Sequence, residues 1–163
     1  MMRIGVLSDT HIGDEQVVLC ETLAKVWGKV DLILHAGDVT SPAVIEELKR
    51  LAETLVVAGN MDGRAMWEAW PRERVVMVGR YQIGLTHGDF MRSMAGARFP
   101  PHWKMPRHFD AAALHAYLRS QFQRVDAIIF GHTHRPHNVR DGGVLFFNPG
   151  AWQRSEGGSS SIG

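Results

Sequence analysis

Three histidines crowd into the stretch GHTHRPH, directly after an apolar run. His132, His134 and His137 follow residues 128–130, which read Ile-Ile-Phe and have the character of a buried strand. Imidazole nitrogens bind divalent transition metals and transfer protons near neutral pH. For a single cluster of this kind, a polar loop that happens to be rich in histidine is the preferred explanation. Its meaning depends on which other side chains can meet these imidazoles.

Residues of metal-ligand type also follow other apolar runs. Two carboxylates, one amide and four imidazoles stand at five predicted strand ends, and they are Asp9, His11, Asp38, Asn60, His87, His132 and His134. In α/β sheets, ligands bind beyond the carboxyl ends of the strands, so we expect these side chains to meet at one edge. Gly-Asp, Gly-Asn and Asp-x-His are each common in turns. Together, however, they favour a metal site over five coincidental turns.

Seven candidate ligands exceed the needs of one metal ion. A structural zinc site uses about four ligands, whereas two metals about 3.5–4 Å apart, sharing a carboxylate, can use all seven. Two divalent ions would bring a charge of about +4, and Asp9 and Asp38 would return about −2. The surplus suits a bridging hydroxide and an anionic substrate such as a phosphate ester. This predicts hydrolysis of a P–O bond.

Short apolar runs and helical periodicity predict the elements that position these residues. Strands are predicted at 3–8, 31–35, 54–58, 74–78, 81–86 and 125–130, with a hairpin over 138–147. Helices are predicted at about 14–30, after Ser41-Pro42, and at 110–124. Glycine precedes Asp38, Asn60 and His132, which suits turns that hold a side chain toward a shared centre. The order of elements predicts an α/β domain with mixed sheets.

Composition limits the class of protein. The chain has 163 residues, a formal net charge of +1 and a single cysteine, Cys20. We expect one domain over residues 1–152, with a loop insertion at about 90–109 and a flexible Ser/Gly-rich tail over 153–163. The balanced charge does not suggest an extended nucleic-acid surface or a membrane partner. A lone cysteine and the lack of a long apolar stretch predict a cytoplasmic location.

The motifs, in their order, resemble the calcineurin-like metallophosphoesterase family. They read DTH at 9–11, GD at 37–38, GN at 59–60, THG at 86–88, GHTH at 131–134 and NPG at 148–150. The chain looks similar to the small single-domain phosphodiesterases of bacteria and archaea over residue 4 to about 150. The resemblance implies a fold of two packed mixed β-sheets flanked by helices. In the NPG motif, Asn148 and Gly150 would shape the loop beneath the site.

The resemblance also implies a ligand set and a cofactor. The first metal would be held by Asp9, His11, Asp38 and His134, and the second by Asp38 as a bridge with Asn60, His87 and His132. Asp38, Asn60 and His87 are the residues expected to act in catalysis, by in-line attack of a metal-bridging hydroxide. The two divalent ions are expected to be Mn²⁺, with Fe²⁺, Ni²⁺ or Zn²⁺ as alternatives for mixed oxygen and nitrogen ligands.

One position departs from the family pattern. In much of the superfamily a histidine follows the GN motif, but here Met61 and then Asp62 follow Asn60. Methionine cannot donate a proton to a leaving group, which favours phosphodiesters over phosphomonoesters with poor leaving groups. Asp62 is expected to brace the turn or a ligand imidazole. The substrate is then a small phosphate ester, for which a nucleotide-like diester is one candidate.

Two histidines and one alternative function lie outside this scheme. His35 is interpreted as a hydrogen-bonded core residue, and His137 as a residue near the ligands or on the surface. The alternative to an enzyme is a trafficking-type scaffold, which has the same fold but binds other proteins. The complete ligand set favours the enzyme, since degenerate scaffolds of the family lose ligands.

The stretch FMRSMAGARFPPHWKMPRHF at 90–109 starts shortly after His87 and combines basic and aromatic residues with no acidic ones. Long loops of this kind tend to be functional or disordered, so a solvated loop without a role is the plain alternative. Arginine can grip phosphate oxygens and an aromatic ring can stack on a base, so Arg98 and Trp103 are candidate substrate contacts. Association into a homo-oligomer is the rival role, because interfaces are enriched in the same residue types.

Overall fold

The structure is a computed structural model that describes residues 1–13, 19–89 and 111–152, with only the backbone for residues 19 and 20. Its first sheet contains β1 (Ile4–Leu7), β2 (Leu32–His35) and β3 (Glu53–Val56). The strands lie in the order β1-β2-β3 and are all parallel. Strand β2 is buried along its whole length, as expected for a parallel strand covered on both faces.

Two helices cover one face of this sheet. Helix α1 (Leu19–Trp27) and helix α2 (Pro42–Lys49) pack their apolar sides against it, with Leu23 and Leu48 fully buried. Helix α2 begins as its sequence predicts, because the Ser41 hydroxyl accepts a hydrogen bond from the Ala43 N–H at 3.2 Å and proline follows the cap. A short helix, α3 (Arg64–Ala69), follows β3.

The second sheet is mixed and contains two hairpins. Its strands are β4 (Glu73–Val78), β5 (Tyr81–Thr86), β6 (Ala127–Ile129), β7 (His137–Asp141) and β8 (Val144–Asn148), in the order β4-β5-β6-β8-β7. The β4–β5 and β7–β8 pairs are antiparallel, whereas β6 pairs in parallel with both β5 and β8. Helix α4 (Ala111–Ser120) covers this sheet through an apolar cluster that includes Leu118, Phe130 and Phe146.

The two sheets pack face to face. Leu34 and Val57 from the first sheet and its extension share one apolar cluster with Val76, Leu85 and Ile129 from the second. The layers are therefore helix, sheet, sheet and helix, which confirms the predicted class of two packed sheets flanked by helices. Within the described residues the first sheet is purely parallel and only the second is mixed. None of the described helices is long and apolar enough to cross a membrane.

The predicted strands and helices agree with the structure except at some ends and at one helix. Helix α1 ends at Trp27, three residues earlier than predicted, since Gly28 adopts a left-handed conformation with φ of 61°. The sequence did not predict α3, which has only six residues and no side-chain cap. The predicted loop at 90–109 and tail at 153–163 lie outside the described residues. The division of the chain into a domain and a tail stays a prediction.

Candidate metal centre

The seven candidate ligands lie at the ends of five strands that belong to both sheets. The loops after β1, β2 and β3 carry four of them, and the loops after β5 and β6 carry the other three; in chain order they are Asp9, His11, Asp38, Asn60, His87, His132 and His134. Because neighbouring strands of each group run in parallel, their carboxyl ends reach the same edge of the molecule.

One group of four side chains surrounds a common point. Single ligand atoms of Asp9, His11, Asp38 and His134 all lie within 4.8 Å of one another. His134 Nε2 is 3.3 Å from both Asp9 Oδ1 and His11 Nε2. Two carboxylates with two imidazoles form a donor set that suits Mn²⁺, Fe²⁺ or Zn²⁺. These residues therefore fit a divalent transition metal.

A second group lies on the other side of Asp38. The amide oxygen of Asn60 is 3.0 Å from His87 Nε2 and 2.9 Å from His132 Nδ1. The rings of His87 and His132 stand edge to face, with centroids 5.2 Å apart. His87 Nε2 is 3.4 Å from Asp38 Oδ2. One carboxylate, one amide oxygen and two imidazoles converge here.

Asp38 joins the two groups through a single oxygen. Its Oδ2 lies 3.8 Å from His11 Nε2 and 3.4 Å from His87 Nε2, which belong to different groups. Its Oδ1 accepts a hydrogen bond from the Met61 N–H at 2.7 Å. The residue is only 2% exposed, so burial also holds its side chain in place. Asp38 is therefore shared between the two groups.

Backbone conformation distinguishes the ligand loops from the rest of the chain. Among the described residues, six other than glycine have positive φ, and five of them are candidate ligands: Asp9, His11, Asp38, His132 and His134. Left-handed backbone is uncommon for residues with a side chain, and such strain concentrates at functional sites. The loops thus hold these side chains in orientations that ordinary turns would not provide.

Close packing explains the glycines that precede three of the ligands. A Cβ on Gly59 would lie 2.2 Å from Asp38 Oδ1, and a Cβ on Gly131 would lie 2.8 Å from Asp9 Oδ2. Gly37 adopts φ of 88° and has Gly59 N and His87 Nδ1 at 2.9 Å from its own Cβ position. The sequence predicted that these glycines suit the turns. The structure shows that mutual contact of the loops is the main reason.

Asp62 ties two ligand loops together. Its carboxylate accepts backbone hydrogen bonds from the residues after β2 and from the loop after β3, with lengths of 3.1, 2.8, 2.9 and 2.7 Å for the N–H groups of Asp38, Val39, Thr40 and Gly59. The residue is buried. Of the two roles predicted for Asp62, these hydrogen bonds show the bracing of the turns.

The NPG motif supports the loop that carries His132 and His134. The amide of Asn148 donates to the Gly131 carbonyl at 2.7 Å and to the Thr133 hydroxyl at 3.1 Å. Its oxygen accepts from the Gly150 N–H at 2.8 Å. Asn148 therefore acts on the ligand loop from below, as the resemblance implied.

Burial and neighbouring charges shift the pKa values of three candidate ligand histidines. Burial lowers the pKa of His87, but the hydrogen bond and attraction of Asp38 outweigh it and raise that pKa to about 9. A hydrogen bond to Asp9 is the main cause that raises the pKa of His134. Burial, together with repulsion from His87, lowers the pKa of His132. A metal competes with the proton for these nitrogens, so metal binding would release protons.

The second ring nitrogen of His87 is already engaged. His87 Nδ1 lies 2.8 Å from the carbonyl oxygen of Ala36, so Nδ1 carries the proton and donates it. The Nε2 atom faces Asp38 and Asn60, and it would offer its lone pair there once a metal displaces its proton. Ligating histidines usually show this arrangement, because it sets the tautomer and the ring orientation.

His35 and His137 are engaged elsewhere. His35 is fully buried and contacts Thr10 Oγ1 and the Gly37 N–H, which agrees with its interpretation as a hydrogen-bonded core residue. His137 lies on β7, and its Nε2 is 2.9 Å from Nε2 of His115 on α4. The pair belongs to the contact between α4 and the β7–β8 hairpin.

Sequence reasoning missed some residues beside the site and could not place others. Trp67 on α3 donates from Nε1 to the Gly59 carbonyl at 2.7 Å, directly before Asn60 in the chain. Nothing in the sequence marked it, because α3 was not predicted. Arg98 and Trp103, the predicted substrate contacts, lie outside the described residues.

Comparisons with known proteins bear on the family of this chain. A family model described as the calcineurin-like phosphoesterase superfamily domain matches residues 2–162. A probable metallophosphoesterase of Methanocaldococcus jannaschii is 35% identical over 152 residues, which are 92% of this chain and 68% of that protein.

Solved structures with the same fold include Vps29 of Entamoeba histolytica complexed with Zn²⁺, at 26% identity and a TM-score of 0.65, covering 91% of this chain and 74% of that chain. An archaeal phosphodiesterase has a TM-score of 0.67 at 24% identity, covering 99% of this chain and 91% of that chain, and shows the fold alone. The resemblance drawn from the motifs is confirmed. The chain belongs to the calcineurin-like phosphoesterase superfamily.

Proposed function

We propose that the protein is a dinuclear metal-dependent phosphodiesterase. The observation that carries this proposal is the position of Asp38, whose Oδ2 faces ligand nitrogens of both groups, at 3.8 Å and 3.4 Å. A single-metal site would not need a carboxylate oxygen shared in this way. Family membership supports metal-dependent phosphoester hydrolysis in general, and the number of metals is the finer statement that we add.

The residues divide into two ligand sets around Asp38. Asp9, His11, Asp38 and His134 would hold one ion, and Asp38, Asn60, His87 and His132 the other, with Mn²⁺ as the expected metal. When bound, two divalent ions would stabilise charge on the phosphate group and lower the pKa of a water nucleophile. The protein contributes orientation, because left-handed loops and the Asp62 carboxylate hold the ligands before any metal arrives.

The preference for diesters rests on the residue after Asn60. Met61 is 60% exposed, and its N–H donates a hydrogen bond to the Asp38 carboxylate. Its thioether cannot protonate an alkoxide leaving group, and general-acid help of this kind is typically worth about 10²–10⁴-fold. Substrates whose leaving group departs without protonation, such as diesters with stable leaving groups, are therefore favoured. We take the natural substrate to be a small, nucleotide-like phosphate ester, and a reducing compartment such as the cytoplasm fits the single cysteine.

Arg98 and Trp103 remain proposed contacts to this substrate, with association into a homo-oligomer as the rival role of the 90–109 stretch. Replacing both by alanine would raise KM for a nucleotide-like diester without changing oligomeric mass if the stretch binds substrate. A fall in mass would assign it to a subunit interface instead.

The deciding experiment is an activity screen of metal-stripped protein with Mn²⁺, Fe²⁺, Ni²⁺ or Zn²⁺ added back. Bis-p-nitrophenyl phosphate should be hydrolysed faster than a phosphomonoester with a poor leaving group, and Asp38→Asn should lose this activity and bound metal while staying folded. Loss of ligand support alone costs about 10–100-fold, so loss of the bridge should cost more.

A matched control lies at the other end of the same strand. The Asp31 carboxylate accepts the Arg3 N–H at 2.8 Å, just before β2, whereas Asp38 follows β2. Asp31→Asn should keep metal content and turnover near the starting protein. Full occupancy of two metals in Asp38→Asn, or unchanged turnover, would refute the dinuclear scheme.

A protein-interaction scaffold is the second candidate function. The observation in its favour is the likeness to Vps29, which is named for vacuolar protein sorting. The screen separates the two candidates. Protein that binds two metals and yet hydrolyses neither class of ester with any of the four ions would favour the scaffold.

A further inference from the structure

An ion pair lies beside the second metal position, which is the one assigned to Asp38, Asn60, His87 and His132. The guanidinium of Arg72 donates to the carboxylate of Asp89. Asp89 stands two residues after His87, in the loop that follows β5, and its side chain is only 12% exposed. Arg72 stands between α3 and β4. What this ion pair connects therefore depends on the other contacts of Arg72.

Two contacts tie Arg72 to the loop after β3. The carbonyl of Pro71, directly before Arg72, accepts a hydrogen bond from the Ala58 N–H at 2.9 Å. The guanidinium carbon of Arg72 lies 5.3 Å from the ring centroid of Trp67, which is within the range of a cation–π contact. Trp67 Nε1 donates in turn to the Gly59 carbonyl at 2.7 Å. Both contacts reach the residues that lead directly into the candidate ligand of this loop.

The ion pair thus joins two loops whose candidate ligands meet each other. Asn60 Oδ1 lies 3.0 Å from His87 Nε2, and both atoms would face the same ion. The Asp62 carboxylate ties the loops after β2 and β3 together through their N–H groups. Arg72 and Asp89 make a comparable connection between the loops after β3 and β5.

Asp89 also lies within electrostatic reach of His132, another member of this group. Burial lowers the pKa of His132 and repulsion from His87 adds to the shift, while Asp89 is the first of the carboxylates that oppose it. The Asp89 carboxylate therefore belongs to the surroundings of the second metal position.

An ion pair of this kind is better suited to holding geometry than to stabilising the fold. The Arg72 side chain is 39% exposed, and pairs that reach the solvent contribute little to stability. Residues that orient metal ligands, by contrast, typically change metal affinity by about 10–100-fold when they are replaced. Loss of the pair should therefore appear in metal binding rather than in unfolding.

We propose that Arg72 and Asp89 act as one positioning pair, which sets the affinity of the second metal position by holding Asn60 and His87 together. This inference rests on the proposed function, since it presupposes two ions. It adds that the two metal positions depend on different residues outside the ligand set. Loss of either partner should weaken binding of the second ion and leave binding of the first nearly unchanged.

The test resolves the two steps of Mn²⁺ binding by titration calorimetry of metal-stripped protein. Asn60→Ala and His11→Ala identify the steps, because each removes a ligand of one position only. Arg72→Met and Asp89→Ala then remove one partner of the ion pair each. Either variant should weaken the step identified by Asn60→Ala by about 10–100-fold. The double variant should bind no more weakly than the single ones, because the effects of residues in direct contact are not additive.

A second ion pair on α3 supplies the matched control. Arg64 and Glu68 are 2.8 Å apart, and their side chains are 91% and 66% exposed. Arg64→Met and Glu68→Ala should leave both binding steps unchanged. The melting temperature of metal-free protein provides the second readout, and it should stay close to that of the starting protein in Arg72→Met and Asp89→Ala.

Three outcomes would overturn the proposal. The first is unchanged Mn²⁺ binding in Arg72→Met and Asp89→Ala. The second is equal weakening of both binding steps with a lower melting temperature, which would assign the pair to the fold. The third is additive losses in the double variant, which would show that the two residues act independently.

Failure of the proposed function looks different. Two binding steps that respond as expected, in a protein that hydrolyses no ester, would count against the enzyme and leave the positioning pair intact. Hydrolysis together with unchanged binding in Arg72→Met and Asp89→Ala would do the reverse. A single binding step in the starting protein would overturn both the dinuclear centre and this inference.

Discussion

At the scale of single residues, His35 shows how a histidine near the candidate metal site can be engaged in other contacts. Its Nδ1 accepts the Gly37 N–H at 3.2 Å, so the proton must reside on Nε2, which lies 3.2 Å from the Thr10 hydroxyl. Burial lowers the pKa of His35 to about 4, although Asp9 and Asp38 oppose the shift. The ring is therefore neutral at pH 7 and links the loops after β1 and β2.

This burial predicts acid sensitivity. The folded-state pKa of about 4 lies below the usual 6.5, so the unfolded chain takes up the proton first as the pH falls. The contribution of the neutral His35 ring to the free energy of unfolding is fully present above about pH 6.5. It is lost between about pH 6.5 and 4, by about 3 kcal/mol in total and about 2 kcal/mol by pH 5. Urea unfolding of metal-free protein should show this loss relative to His35→Gln, which cannot titrate there. Parallel pH profiles of the two proteins would refute the assignment.

At the scale of elements, the ligand loops depend on one another for their shape. The loop after β3 presses on the loop after β2, since Gly59 leaves no room for a side chain beside Asp38. The Asp62 carboxylate then binds N–H groups from both loops. Each loop therefore supports the shape of its neighbour. A substitution in one loop should displace candidate ligands in the other and so lower the metal affinity of the protein.

Gly59→Ala tests this dependence. The new Cβ would lie 2.5 Å from the backbone nitrogen of Asp38, which cannot move cheaply. Overpacking of this kind costs about 1–3 kcal/mol, and the displaced Asp38 should also reduce bound Mn²⁺. Gly13→Ala is the control, because Gly13 follows the candidate ligand loop after β1 and, among the described residues, nothing lies within 4 Å of its Cβ position. Thermal unfolding and metal analysis of both variants decide the matter; equal behaviour of the two would contradict the account.

At the scale of the whole molecule, the candidate metal centre lies across the two sheets. Asp9, His11, Asp38 and Asn60 follow strands of the first sheet, and His87, His132 and His134 follow strands of the second. The apolar cluster between the sheets holds them together without metal. Bound ions would add a second connection at the edge, so metal binding and global stability should be linked.

Metal should therefore raise the melting temperature. At about 100 times its Kd, a ligand that binds only the folded state adds about 2.7 kcal/mol, or roughly 5–10 °C for a protein of this length. Calorimetry across a Mn²⁺ series should show a shift that grows with concentration in the starting protein and in Asp31→Asn. Asp38→Asn should show little shift. A melting temperature that is independent of Mn²⁺ in the starting protein would refute the link.

The sequence by itself determined the elements and the candidate ligands. Buried parallel strands such as β2 are short apolar runs, and the residue types that follow them are visible in order along the chain, as with Asp38 and His87. The helix start at Ser41-Pro42 was equally readable, because caps depend on neighbours in sequence. Local patterns predicted these features since their physical causes lie within a few residues.

Tertiary structure alone decided what the long-range contacts do. Asp62 could be the brace of two loops only once β2 and β3 lay side by side, and the sharing of one Asp38 oxygen between two ligand groups required both sheets to be packed. The sequence did not predict helix α3, because six residues without a side-chain cap carry too weak a local signal. The contact of its Trp67 with the Gly59 carbonyl was therefore not predicted either. Such contacts arise between residues far apart in the chain, where neither periodicity nor composition reports which groups will meet.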